Sequence, residues 1–307
     1  MKSTPIVVSY SEIDAMRQCG HKHDLAFRLG WTSRTTAPAL SKGKLYHDVM
    51  EIHYKAIMVG APESERLRAI AETLLDAEER NAEEAQLVAW MYDGHLEKWG
   101  TDDQWEILAV EDQSLMRLPD RNGRASRFYL RMRIDLLVSE SVGGRPKIYV
   151  VDHKTGQNLP HEKELDLDDQ FGLYTWGLRK KQVPVFGAIY SAARTQRNVG
   201  EMDIDDRFRR YKVWRTDQEL ETIAREAWET SRTAYARPVW QAPRSPDSHP
   251  IGPSRCKAKC PFTEPCLVGR KSGRFQELTF LRSGGFEELD EETRLAQRGY
   301  IDPLMPK

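Results

Sequence analysis

Apolar positions along the chain switch between helical and strand spacing, and each switch predicts an element. Ser11 and Asp14 stand three residues apart, as an N-cap and its capping-box partner, and start a helix with Ile13, Met16 and, further on, Leu25 facing inward. Cys19 falls at or just after the end of that helix. Residues 34–42, rich in Thr, Ala, Pro and Ser, read as a loop. Leu45, Val49, Ile52 and Ile57 then recur along a helix over 43–58. Ala, Glu, Leu and Arg dominate 62–99, which predicts a helical pair or one long helix, acting as an insertion or cap.

From Trp105 the spacing changes to strand-like. Residues 106–115 and 127–138 read as strands. Gly143-Gly144 marks a turn, and 147–152 is the next strand, so the last two strands form a hairpin. A helix over 168–181 is bounded by Pro184. Strands follow at 185–190 and 210–214, and a helix at 217–236. Residues 240–255 form a Pro- and Ser-rich loop, and the tail beyond about 270 shows no clear pattern. Strands alternating with helices predict an α/β class with a central mixed sheet flanked by helices.

The 307 residues can bury a sizeable core as one large domain or two smaller ones. With 39% hydrophobic and 30% charged residues, and no apolar run of membrane length, the chain reads as soluble and cytoplasmic, without a signal peptide. The formal net charge of −1 gives no bulk support for nucleic-acid binding. Local charge does: Arg121, Arg124, Arg127, Arg131 and Arg133 crowd one segment, while Arg207, Arg209, Arg210, Lys212 and Arg215 interleave with Phe208, Tyr211 and Trp214 in another. Such a mixture suits phosphates and bases, and equally suits solvated strand faces. No Gly-x4-Gly-Lys-Ser/Thr is present, so nothing signals ATP use.

The chemistry-bearing residues follow a definite order. Asp135 lies in one strand of the hairpin, and Asp152 and Lys154 close the next, in Val-Val-Asp-His-Lys-Thr-Gly. Two neighbouring carboxylates repel unless a cation lies between them, and hard oxygen ligands favour Mg²⁺ or Mn²⁺. A lysine two residues after a strand aspartate shares its face, where it can orient or help deprotonate a water and steady charge building on a phosphate. His47 follows Gly43 as Gly-x3-His on a helix, and Gln170 and Tyr174 form Gln-x3-Tyr one turn apart. Each signal alone fits ordinary packing or a surface ion pair. Cys19 stands alone near one end of the chain, and Cys256, Cys260 and Cys266 follow near the other as C-x3-C-x5-C. If all four meet, the intervening chain folds back and its ends are joined.

In this order the motifs resemble the RecB-type branch of the PD-(D/E)XK nucleases, in its iron–sulfur members: AddB-type nuclease domains, CRISPR-associated RecB-like exonucleases and phage-borne relatives. The resemblance runs from Ser11 to about Cys266. It implies a restriction-endonuclease-like core, a single nuclease domain over 1–269 with a helical cap at 44–99 and a catalytic sheet at 105–215, and a tail at 270–307. An iron–sulfur segment would join the N- and C-terminal parts. It further implies that His47, Asp135, Asp152 and the backbone carbonyl of His153 hold Mg²⁺ or Mn²⁺, that Lys154 is the catalytic lysine, and that Gln170 and Tyr174 position it or contact DNA. Cys19, Cys256, Cys260 and Cys266 would hold a [4Fe–4S] cluster. Two departures stand out: relatives commonly space the first two late cysteines as C-x2-C, and some carry Glu at the position of Asp152. Zinc is the rival occupant of the thiolates.

The implied activity is metal-dependent exonuclease cleavage of single-stranded DNA by a metal-activated water, in recombination, repair, or phage or CRISPR DNA processing. The implied partners are single-stranded DNA and a recombination or CRISPR-adaptation protein. The alternatives are a catalytically idle iron–sulfur DNA-binding partner and a structure-specific endonuclease of the same fold.

Overall fold

Strict alternation builds the long strand that carries the first acidic residue. In β4 (Ala125–Val142) the side chains of Phe128, Leu130, Met132, Ile134, Leu136 and Val138 are all buried, and Asp135 falls on the opposite face. Gly143 and Gly144, both at positive φ (60° and 76°), make the two-residue turn into β5 (Arg145–Gly156). Two left-handed residues in succession suit a hairpin, and glycine adopts that conformation without a Cβ clash. The antiparallel register runs from Val142 opposite Arg145 to Leu136 opposite Val151. The next residues on the two strands are Asp135 and Asp152.

The computed structural model describes residues 4–34, 38–196, 202–244, 260–290 and 293–294. Its mixed sheet has the order β1-β4-β5-β6-β7, with β3 (Trp105–Pro119) also on β4. β1 (Ile6–Ser9) is parallel to β4, β6 (Val185–Arg194) is parallel to β5, and β7 (Phe208–Val213) is antiparallel to β6. The α/β class with a mixed sheet and flanking helices is therefore the observed architecture.

Two compact units divide the chain. The first holds Met1–Thr36, Leu115–Arg131 and Ala224–Lys307, and the second Ala37–Ser114 and Met132–Ile223. In the second unit, α3 (Pro38–Met58), α4 (Glu63–Glu78) and α5 (Ala82–Trp99) bury Tyr46, Val49, Tyr54, Val88 and Met91 with Leu136, Val151 and Ile189 of the sheet. After α6 (Glu162–Leu165), helix α7 (Asp169–Lys180) meets the sheet through Phe171, whose ring lies 5.8 Å from that of Tyr190. The short α8 (Ile204–Arg207) leads into β7.

The first unit is held by a small apolar core and by two buried carboxylates with their partners. Leu25, Trp31, Phe262, Leu281 and Phe286 pack together. They come from a π-helical turn (Asp24–Arg28), β2 (Trp31–Ser33), the segment before α10 (Thr263–Ser272), α11 (Arg274–Ser283) and β8 (Phe286–Glu288). Fully buried Glu277 accepts from Arg244 at 2.8 Å and lies 2.6 Å from His21 Nε2 on α2 (Gly20–His23). Glu12 on α1 (Tyr10–Gln18) accepts from Tyr235 of α9 (Asp217–Ala236) at 2.7 Å and meets His23 at 3.0 Å. Carboxylates thus knit early and late chain segments in this unit.

Several boundaries differ from the sequence expectation. The N-cap of α1 is Ser9, whose hydroxyl accepts from the Glu12 amide, and not Ser11. The spacing Ser-x-x-Glu is the stronger box, and Glu12 spends its carboxylate on His23 and Tyr235. The loop expected over 34–42 gives way to helix from Pro38, because proline suits the first turn of a helix. Asn81 caps α5 by accepting from the Glu84 amide, so the block 62–99 is a pair of helices. β5 runs on to Gly156, because parallel β6 pairs with it from Ile148 to Gly156; Asp152 and Lys154 therefore lie inside the strand and not at its end. The tail beyond 270 supplies the end of α10 and all of α11 and β8.

Candidate active site

Four elements of the second unit bring the polar residues together. Gly43 lies one turn before His47 on α3, and a Cβ there would sit 3.2 Å from Thr155 Oγ1 of β5. The bare glycine thus lets α3 come close to the strand, which is a physical reason for the Gly-x3-His spacing. His47 Nδ1 lies 3.2 Å from Asp135 Oδ2, and the same oxygen accepts from the His153 amide at 2.8 Å. On β5, Lys154 Nζ lies 2.6 Å from Asp152 Oδ2. Asp168 caps α7 by accepting from the Gln170 amide at 2.8 Å. The side chain of Gln170 then donates to Asp152 Oδ1 at 2.8 Å and accepts from Lys154 Nζ at 3.2 Å. Tyr174, one turn on, is buried and hydrogen-bonds the Arg133 backbone; burial first, then Asp152, pushes its phenol up to about 12.

The two aspartates are electrostatically unlike. Burial works against the charge of Asp135, but the hydrogen bond and charge of His47 outweigh it and hold its carboxyl below the usual range. Burial, with the nearby charge of Asp135 adding to it, pushes Asp152 up to about 6 against the pull of Lys154. Burial likewise opposes protonation of His47 and of Lys154. Asp135 overcomes it for His47, and Asp152 overcomes it for Lys154, so both bases sit above their ordinary values. Lys154 is therefore an ammonium at neutral pH.

Glu111 joins this group, and the sequence reading missed it. Its carboxylate, His47 and Asp135 offer ligand atoms all within 4.8 Å of one another, the one such trio among the described residues. Arg133 Nε donates to Glu111 Oε2 at 2.6 Å. Glu111 sits at φ 51°, left-handed backbone within β3 that a non-glycine residue rarely adopts. Along 106–115 it is one charged strand residue among several, and no local spacing marks it; only the pairing of β3 with β4 sets it beside Asp135.

Behind the site the imidazole of His153 is buried and stacks on Tyr54, with ring centroids 5.6 Å apart. Burial pushes this imidazole down to about 3. Tyr54 donates to Asp102 at 2.6 Å, and Asp102 takes a two-pronged ion pair from Arg210 at 2.5 and 2.7 Å. Arg210 lies 4.0 Å from the rings of both Trp99 and Trp105. A buried two-pronged ion pair of this kind fixes the wall that supports His153, and hence the amide that holds Asp135.

Much of the basic character seen in the sequence is used internally. Arg210 is committed to Asp102, Lys212 to Glu140 at 2.5 Å, Arg215 to the carbonyls of Leu165 and Asp166, and Arg207 lies 4.0 Å over Trp90. In the other segment, Arg133 serves Glu111 while Arg121, Arg124 and Arg127 are exposed.

Cys19, Cys260 and Cys266 belong to the first unit. Cys19 ends α1 and caps α2, its Sγ accepting from the Lys22 amide at 3.4 Å. Cys260 precedes α10 and Cys266 lies within it, where burial raises the thiol and Arg244 pulls the other way. Cys256 lies outside the described residues.

Among the described residues no helix is long and apolar enough to cross a membrane. The family model of the PD-(D/E)XK nuclease superfamily matches residues 7–267. None of the curated proteins is similar to this sequence. Of solved structures, SSO0001 is similar at 17% identity over 72% of this chain and 83% of that one, with a TM-score of 0.33.

Proposed function

Because the chain belongs to the PD-(D/E)XK nuclease superfamily, whose members perform metal-dependent phosphodiester hydrolysis, we propose that it is a Mg²⁺- or Mn²⁺-dependent exonuclease acting on single-stranded DNA. The observation that carries this reading is the convergence of His47, Asp135, Asp152, Lys154 and Gln170 in one unit. The donor set suits a hard divalent ion: His47, Asp135 and Glu111 offer ligand atoms within reach of one another, and to these we add the Asp152 carboxylate and the His153 carbonyl that the family resemblance implies. A bound ion supplies charge that polarises the phosphodiester and makes water acidic enough to attack.

The remaining roles belong to the side chains. Lys154, held as an ammonium, stabilises negative charge growing on the phosphate oxygens. Gln170 holds the lysine and Asp152 in register through one amide group. His47 and the His153 amide keep Asp135 ionised. Tyr174 braces α7 against β4. Water adds across the P–O bond, its oxygen going to phosphorus and a proton to the departing alkoxide.

The finer reading is supported by the order of motifs shared with RecB-like iron–sulfur nucleases. We place Cys19, Cys256, Cys260 and Cys266 around a [4Fe–4S] cluster, and the enzyme in recombination, repair, or phage or CRISPR DNA processing beside a protein partner. Thiolate chemistry and the shared unit of Cys19, Cys260 and Cys266 fit such a cluster. Iron and sulfide analysis with visible absorption of anaerobically purified protein tests it; colourless protein with stoichiometric zinc refutes it.

The activity is tested by digesting end-labelled linear and circular single strands with Mg²⁺ or Mn²⁺. Loss of linear strands, survival of circles, and inactivity of Asp152→Ala and Lys154→Ala are expected. Cut circles would make it an endonuclease, and binding without turnover in any divalent metal would make it an idle DNA-binding partner. Activity unchanged in either variant removes the assigned site.

A further inference from the structure

A cleft on the sheet face of Asp152 has no part in the site described so far. Register sets three residues in a row: Asp152 opposite Tyr190 on β6, and Tyr190 opposite Tyr211 on β7. Residues paired across neighbouring strands share a face, and strands lie about 4.8 Å apart, so Tyr211 stands about 10 Å sideways from the catalytic carboxylate. The rings of Tyr190 and Tyr211 meet edge-on at 6.3 Å. Beyond Tyr211 opens a cleft of about 450 Å³ between β7 and α6.

Its lining is that of a base site. Leu165, Tyr211 and Val213 belong to one small apolar cluster and make the floor. Trp214 forms the lip and is 65% exposed, an unusual state for so large an apolar ring. The rim carries Glu162 and Asp166 as well as Lys163, so charge of both signs surrounds an apolar centre and does not suit a bare phosphate. Two hydrogen bonds from Arg215, to Leu165 O at 3.0 Å and Asp166 O at 2.6 Å, tie α6 to the end of β7 and hold the cleft open in one shape. Tyr211 donates to Pro160 O at 3.1 Å and fixes the floor.

We propose that this cleft holds one unpaired nucleobase of the substrate strand, stacked on Trp214 with its polar edge toward the rim. The inference rests on the nuclease reading and deepens it. A base engaged in a duplex cannot leave its partner to enter the cleft without unpairing, so the cleft selects single strands.

The test is binding of a fluorescent single-stranded oligonucleotide to the full chain in EDTA, which separates binding from turnover. Trp214→Ala weakens binding about 5- to 150-fold, the range expected for loss of one stacked base. Trp214→Phe keeps an aromatic face and recovers most of the affinity. In a series of oligonucleotides, each with one abasic position, one position weakens binding to the wild type but not to Trp214→Ala. Equal binding by Trp214→Ala, or a flat abasic series, overturns the cleft and leaves the nuclease reading standing. Wild-type protein that neither binds nor cuts single strands overturns that reading itself. The exposure of Trp214 keeps the variants folded, which their unchanged thermal midpoints check.

Discussion

Acidification weakens divalent-ion binding at this site far more than ordinary carboxylates allow. The cause is Asp152, pushed up to about 6 by burial and then by Asp135. At pH 7.5 it is ionised, and at pH 5 only about one-tenth remains so, which lowers affinity about tenfold from this group alone. A carboxyl at the ordinary 3.8 is still about nine-tenths ionised at pH 5 and produces almost no loss. The sign for stability follows from the same shift. The folded value lies above the unfolded one, so the metal-free fold loses stability as pH rises from about 4 to about 6, by at most about 3 kcal/mol, and an ion restores it at neutral pH. Calorimetric titration with Mn²⁺ from pH 5 to 7.5, in two buffers of different ionisation enthalpy, gives both affinity and protons released. His47 also sits above its ordinary value and steepens the dependence, so the His47→Asn variant removes that part and leaves the two carboxyls that burial raises, Asp152 and Glu111. Affinity that changes less than about twofold across this range in His47→Asn, against the tenfold expected, refutes the reasoning.

Other consequences follow from the same contacts. Lys154→Ala loses about 10²- to 10³-fold in cleavage rate while still binding Mn²⁺ at pH 8; loss of ion binding would show that the lysine organises the site and does not stabilise charge. Glu111→Gln weakens Mn²⁺ binding about tenfold or more by calorimetry, and an unchanged constant removes Glu111 from the site. Glu277→Ala strands His21 and Arg244 and destabilises the first unit by about 3 kcal/mol, near the lower end for a broken buried pair because Arg244 is partly exposed; urea denaturation showing under about 1 kcal/mol contradicts it.

Legibility varied with how local the cause is. Period-two burial in β4, the Gly143-Gly144 turn and the helix 217–236 can be read directly, because neighbours in sequence are neighbours in the element. Asp-x-Lys on β5 is equally local, since alternation alone sets both side chains on one face. The end of β5 could not be read, because its last residues are held by β6, a strand some thirty residues away. The basic residues of 207–215 suit a phosphate track and a solvated strand face equally in sequence, yet most of them answer to acids, carbonyls and rings elsewhere in the fold.

By itself the sequence determined the alternation that makes the strands, the turn that sets the hairpin register, and the residue types able to hold a hard cation, because each depends on a few adjacent positions. Only the tertiary structure decided that Glu111 stands beside Asp135, that Asp152 holds its proton more tightly than Asp135, and that a cleft ending in Trp214 continues the row from Asp152. Those outcomes depend on cross-strand pairing and on burial, which are properties of the packed molecule and of no single segment.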